Sequence, residues 1–470
     1  MKLRQVRLMF YVFLSLIFGV SIPPAYALGP ESEDSRIMDA LRFTVMVKSR
    51  IYVGLGGDQK TTETRPFLGS GMVVDAKQGL VLTSRHVVTK SPADISVIFH
   101  NKEKVSAKRI YVDPQMDLAI LKVDPEKVNF KWTQAEFQES SGVRPGHPVL
   151  SFGHPLGYEF SASRGIISSH VRKEIGYGRF YQSDTVIGGG NSGGPLISMR
   201  TGRVLGMNTY RTSNDGTQLT FSLVADDFVQ IVQEVRKMGS VKSIKRGEVG
   251  VQFSRVEDER LKGYFKDLKT PPDLFSQGMF VVASVRPNSS GYRAGLRPFD
   301  VLYSVGNIIV MQNTIDQANR YVDMHVDQTI PIQVVREGKL LELNMPVEDA
   351  SRFEIKDYVF VTGIAAHNVT PETPGYAISD QLGVEIGDIM ADAQGDRGTL
   401  RSYDVIKGVN GKQIKNLQDF LDVLLSVREG SKVEVLYQRF TQDFNVGFGI
   451  SQLEVLKPRM LNINDPFPVE

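Results

Sequence analysis

The sequence predicts a mainly β protein: a barrel or sandwich domain of many short strands, followed by two copies of a smaller β-rich module. Two observations carry this. Between Phe43 and Ala225, short β-rich runs such as Thr44–Val53, Leu80–Thr83, Leu118–Val123 and Thr220–Leu223 alternate with Gly, Pro, Asn and Asp turns, the pattern of all-β barrels and sandwiches. Further on, Leu296-Arg297-Pro298-Phe299-Asp300-Val301-Leu302-Tyr303 returns as Leu400-Arg401-Ser402-Tyr403-Asp404-Val405-Ile406-Lys407. Glu248-Val249-Gly250-Val251 returns as Val361-Thr362-Gly363-Ile364, and Ile332–Arg336 as Val433–Tyr437. Landmarks that recur in one order mark a duplicated module.

The connecting elements follow in turn. Asp226–Met238 is expected to be a helix, with Asp226 or Asp227 as its cap and Phe228, Ile231, Val232 and Val235 on one face. Gly239–Gly247 is polar and basic and reads as a linker. In the second module Leu417–Leu425 has helical spacing, with Asn416 placed to cap it.

A chain of 470 residues has room for roughly three domains of ~150 residues. A formal net charge of +2 with no basic block argues against a nucleic-acid partner. Without cysteine, thiol catalysis and zinc–thiolate sites are excluded, and the domains must be held by ordinary cores. At the start, Lys2, Arg4 and Arg7 precede the apolar run Leu8–Ile22, then Pro23-Pro24 and Ala25-Tyr26-Ala27. That is the order of a secretory signal peptide cleaved after Ala27. The run is short for a bilayer span, so no stable membrane insertion is expected.

The chemistry-bearing motif is Gly188-Gly189-Gly190-Asn191-Ser192-Gly193-Gly194-Pro195-Leu196. A nucleophilic serine needs an exposed hydroxyl on a tight turn, with backbone N–H groups aimed at the developing oxyanion. No Gly-Lys-Ser or Gly-Lys-Thr follows, which removes the phosphate-loop alternative. Such a serine needs a general base and a group to orient it. His86 ends a strand in Leu82-Thr83-Ser84-Arg85-His86, whereas His100, His147, His154, His170, His325 and His367 read as surface or turn residues. Asp117 leads into the apolar run Leu118-Ala119-Ile120-Leu121. It is preferred, on burial, to Asp113, which Pro114 and Gln115 put in a turn.

The chain order His86, Asp117, Ser192 is that of the chymotrypsin superfamily. The segments Gly69–Val74, Thr83–Val88, Met116–Leu121, Gln182-Ser183-Asp184 and Gly190–Leu196 resemble the HtrA/Deg serine proteases. That resemblance implies a signal peptide at 1–27, a chymotrypsin-like double β-barrel protease domain at 28–240, and PDZ domains of β-rich α+β type at 247–348 and 352–456. It implies Ser192 as nucleophile, His86 as proton carrier and Asp117 as its orienting group. The N–H groups of Gly190 and Ser192, with Asn191 between them, would form the oxyanion hole. Val186 and Ile187 would lie at the pocket floor and Met207 in its wall. With no carboxylate there, a small apolar residue is expected before the scissile bond. Val249, Gly250 and Val251 are expected to hold a peptide's terminal carboxylate, with Thr362-Gly363-Ile364 the weaker counterpart. No metal or other cofactor is implied. The implied partners are unfolded or damaged proteins, C-terminal peptides at the PDZ domains, and further copies of the chain in a trimer-based homo-oligomer in the periplasm. A chaperone or PDZ scaffold with secondary proteolysis is the competing reading. Arg85 replaces a usual asparagine, Gly188-Gly189 replaces Asn-Pro or Asn-Arg, and 56–65 is short. These departures leave assembly size and loop regulation open.

Overall fold

Strands β1 (Thr44–Arg50), β2 (Phe67–Asp75), β3 (Leu80–Thr83), β4 (Asp94–Ile98), β5 (Lys104–Val112) and β6 (Ala119–Val123) close into a barrel in the order β1-β2-β3-β6-β5-β4. Strands β7 (Pro148–Gly153), β8 (Ser161–Arg172), β9 (Phe180–Ser183), β10 (Pro195–Ser198), β11 (Val204–Asn214) and β12 (Thr217–Val224) close a second, in the order β7-β8-β9-β12-β11-β10. The two orders are the same, so the halves are topological copies. This is the double barrel that the resemblance implied, and closure leaves neither half a free sheet edge. The computed structural model describes residues 33–463 apart from 51, 54–61, 64–65, 89–92, 158–159, 173–177, 215–216, 239–244, 257–277, 372, 374–381, 390–398 and 441–445. The expected signal peptide and most of the expected linker lie outside the described residues.

Alternation along β5 shows why these sequences form a barrel wall. Val105, Ala107 and Tyr111 are buried while Lys104, Ser106 and Lys108 face solvent, with a register shift between Arg109 and Tyr111. Val45, Met72, Leu82 and Ile120 from the first barrel share one core with Phe152, Met207 and Leu223 from the second. Helix α1 (Glu33–Phe43) precedes β1, and helix α2 (Ala225–Met238) follows β12. The predicted face of α2, Phe228, Ile231, Val232 and Val235, is buried in that shared core. The expected cap is corrected: α2 starts at Ala225, and both aspartates are spent elsewhere. Asp226 accepts from the Ser140 hydroxyl at 2.5 Å, and Asp227 from Arg179 Nη2 at 2.7 Å. At the far end of α2, Gln78 Nε2 donates to Arg236 O at 2.9 Å, tying the helix back to the first barrel.

Beyond α2 lie two sheets of like design. The first runs Val251–Val256, Met279–Val285, Val301–Val305, Thr329–Arg336, Lys339–Pro346, with helix Ile315–Met324 packed on it. The second runs Val446–Glu454, Lys432–Phe440, Val405–Val409, Val384–Ile389, Ile364–Asn368, Asp357–Val361, Arg459–Asn462, with helix Leu417–Leu425. Asn416 caps that helix as expected, accepting from Asp419 N at 3.0 Å. The duplication extends to single contacts. Arg336 Nε donates to Asp300 at 2.7 Å, and Arg439 Nε to Asp404 at 2.6 Å. The echo of the later strand needs a register correction. Ile332 pairs with Val305, and it is Val435, not Val433, that pairs with the matching Val409.

The described end of the expected linker is not free. Arg246 reaches Asp113 Oδ2 at 2.9 Å and Asp323 Oδ2 at 2.8 Å, and Gln115 Nε2 donates to Gly247 O at 2.8 Å. The second sheet also meets the protease half: Tyr358, Phe360 and Ala365 cluster with Ala93, the residue before β4.

Candidate active site

Ser192 lies on the turn entering β10, and that turn can be built only from glycine. Gly190 has φ +108° and Gly193 φ +88°. A Cβ on Gly193 would lie 2.1 Å from Ser70 O, and one on Gly194 2.2 Å from Phe152 O. The turn is pinned from both sides: Ser70 N donates to Ser192 O at 2.8 Å and Gly193 N to Asn208 O at 2.7 Å. Among the described residues the N–H groups of Gly190 and Ser192 donate to no acceptor, while Asn191 N turns to Gly188 O at 3.1 Å. Two unengaged amides beside a serine are what a developing oxyanion needs.

His86 stands in the short 3₁₀ turn Arg85–Val88 after β3, and Asp117 ends the bend that leads, through Leu118, into β6. His86 Nδ1 and Asp117 Oδ2 are 2.8 Å apart, and His86 N donates to Asp117 Oδ1 at 3.0 Å. A carboxylate on Nδ1–H leaves Nε2 as the basic nitrogen. Burial pushes the Asp117 carboxyl up, but the hydrogen bonds and charge of His86, helped by the charge of Arg85, outweigh it and hold the carboxyl below its usual range. Ser192 Oγ donates to Thr209 O at 3.0 Å. Among the described residues no hydrogen bond joins it to His86, so the hydroxyl must turn before reaction. Catalytic hydrogen bonds commonly tighten only when substrate binds.

A buried pair supports the oxyanion turn from behind. Ser70 Oγ donates to Gly190 O at 2.7 Å and accepts from His154 N at 3.0 Å, with His154 Nδ1 at 3.1 Å. Because the single hydroxyl proton goes to Gly190 O, His154 carries its own proton on Nδ1. The imidazole is fully buried, and burial lowers its pKa to about 4. An unfolded chain binds this proton from about pH 6.5 downward and the folded chain only near 4. The histidine's contribution is therefore complete above pH 6.5 and is lost as pH falls toward 4, on the order of 3 kcal/mol. His154→Asn should flatten the fall in melting temperature between pH 7 and 4.5. An unchanged slope overturns this account.

A trypsin-like peptidase domain matches residues 69–207. The periplasmic serine endoprotease DegP of Salmonella typhimurium is 27% identical over 376 residues, covering 79% of this chain and 74% of that protein. A probable DegP-like periplasmic serine endoprotease of Brucella suis is 29% identical over 392 residues, covering 80% of this chain and 71% of the relative. Among solved structures, the HtrA-type protease AlgW with a decapeptide superposes with a TM-score of 0.52 at 25% identity, over 68% of this chain and 98% of that one. The chain carries a trypsin-like peptidase domain and resembles the HtrA/Deg serine proteases. Its substrates are peptides or proteins.

Not every residue expected of an HtrA/Deg site sits where the sequence put it. Val186 is 69% exposed, while Ile187 and Met207 are buried in the interior. Exposure alternates along Asp184–Ile187, so neighbours on this extended segment cannot line one face. Asn191 is buried against Gly153, where an added Cβ would lie 2.5 Å from its Oδ1. Three histidines read as surface or turn residues are interior: His154, His147, whose Nε2 is 2.8 Å from Ser198 Oγ, and His367. At Val249-Gly250-Val251 the glycine has φ +68°, and its N–H donates to Glu248 Oε1 at 2.6 Å. The amide expected to receive a peptide carboxylate is therefore engaged by the chain's own. Sequence reasoning missed Ser70, His154 and Thr209. No local pattern marked them, because the hydroxyl partners of Ser70 lie 84 and 120 residues away and Ser192, which donates to Thr209 O, lies 17 away.

Proposed function

We infer that residues 28–240, once the signal peptide 1–27 is removed, form an ATP-independent periplasmic endoprotease acting on unfolded or damaged proteins. The observation that carries this is the His86–Asp117 pair together with Ser192 on a turn whose Gly190 and Ser192 amides have no acceptor among the described residues. In the reaction Ser192 Oγ turns from Thr209 O to His86 Nε2 and attacks the scissile carbonyl as the imidazole takes its proton. The two amides receive the oxyanion, and Asn191 fixes the spacing between them. His86 then returns the proton to the leaving amine, and water repeats the sequence on the acyl-enzyme.

A preference for small apolar residues before the cut is supported by Val186, which offers no carboxylate to a lysine or arginine. Residues 247–348 and 352–456 are PDZ modules on this reading, and peptide bound at the first regulates the protease. Support comes from the exposed edge strand Val251–Val256 beside the Gly250 loop. A terminal carboxylate arriving there displaces Glu248 from the Gly250 amide. On this reading the chain forms a homo-oligomer built from trimers; Leu436, Phe448 and Ile450, which share one exposed apolar face of the second sheet, support association but not its stoichiometry.

One preparation tests the reading. The chain from Leu28 onward, its mass taken by light scattering, is incubated with unfolded β-casein and the cuts are mapped. Cuts after Val, Ala or Ile by an assembly of three chains or a multiple are expected. A clear Lys/Arg preference overturns the specificity, a monomeric mass the assembly, and intact casein the whole proposal.

A further inference from the structure

The two sheets beyond the protease differ at one edge. In the first, Val251–Val256 is outermost, and among the described residues no strand pairs with its outer side. Its middle residues, Gln252 to Arg255, are exposed. In the second, the matching strand Ile364–Asn368 is covered. Asp357–Val361 runs antiparallel along it, with Val359 opposite Ala366 and Val361 opposite Ile364. Arg459–Asn462 then pairs with the far side of that added strand.

A peptide recognised by strand addition would lie where Asp357–Val361 lies: antiparallel to the edge, with alternate side chains directed toward the helix. The added strand meets both conditions. Val359 and Val361 are buried in one cluster with Leu417, Phe420, Leu421 and Leu424 of helix Leu417–Leu425. The loop expected to hold a carboxylate serves differently here. Thr362 (φ +42°) and Gly363 (φ +75°) are both left-handed and form the two-residue hairpin turn that folds the strand back onto its neighbour. No chain end is present at that turn, so there is no carboxylate to bind.

We propose that residues 357–361 are a built-in ligand of the second module, filling the site that takes peptide strands in the first. This rests on reading both sheets as peptide-binding modules. Peptide binding is thereby confined to the first module, and the second has an architectural role. The other face of the same strand shows what that role is, since Tyr358 and Phe360 pack toward Ala93 of the protease half. Because side chains alternate across a strand, one five-residue segment fills the groove and docks the module on the first barrel.

Hydrogen exchange on the full chain, without peptide, tests the occupant directly. Amides of 357–361 and 364–368 should be protected like the sheet interior, while the outward amides of 251–256 exchange about 100-fold faster. Exchange of 357–361 as fast as 251–256 overturns the proposal. Binding is read with a pool of fluorescein-labelled decapeptides on the Ser192→Ala chain. With 357–361 unchanged, that chain should bind one peptide, and Val359→Asp with Val361→Asp should add a second. Two peptides per chain before that change also overturn the proposal. No binding by either protein, with 357–361 protected, instead overturns the reading of the sheets as peptide-binding modules.

Discussion

Ser192→Ala is expected to lose casein hydrolysis by about a millionfold while melting at the native temperature. The fold should not notice: among the described residues the hydroxyl makes one hydrogen bond, to Thr209 O, and the turn is held by the backbone of Ser70, Asn208 and Gly194. His86→Ala should cost as much, and the double variant scarcely more, because nucleophile and base act as one unit. Asp117→Asn should lose about 10⁴-fold, since an amide in its place stabilises the wrong histidine tautomer. Labelling by a fluorophosphonate should follow the same order. A Ser192→Ala protein that keeps even a hundredth of native hydrolysis would place the nucleophile elsewhere.

The three residues proposed as a triad could be singled out in the sequence because each is tied to a local pattern: a glycine turn, a strand end, the start of an apolar run. Burial was nevertheless the wrong ground for preferring Asp117, whose side chain is 33% exposed while that of Asp113 is 0% exposed. Position decided the matter. Asp117 faces His86, whereas Asp113 turns inward to Tyr111 Oη at 2.7 Å and to the amides of Gln115 and Met116. Strand count could not separate barrel from sandwich either, since closure depends on the pairing of β1 with β4 and of β7 with β10. The repeat was legible as a duplication, but not the added strand that distinguishes its second copy. Asp357–Val361 reads as one more apolar run until its hairpin partner is known.

Arg246→Ala carries the second large expectation, and it is one of stability. Asp113 is wholly buried, and Arg246 is the cation paired with it. Removing one partner of such a pair leaves a desolvated charge, at a cost of about 3–5 kcal/mol. Asp323, which burial pushes upward despite the charge of Arg246, can relieve itself by taking a proton. Apart from Arg246, the Asp113 side chain is held by donors: the Tyr111 hydroxyl and the amides of Gln115 and Met116. For a domain of this size the calorimetric transition of the protease half should fall by roughly 10 °C. Asp113→Asn in the same chain should recover most of that loss, because an amide removes the buried charge and keeps an acceptor for the turn. A fall below about 2 °C, or no recovery in the double variant, means the ion pair is not what holds the turn. The turn in question runs from Asp113 to Asp117. Arg246, at the entry to the first sheet beyond the protease, therefore bears on the geometry of the catalytic carboxylate, and turnover at 25 °C should decline in step with the loss of stability.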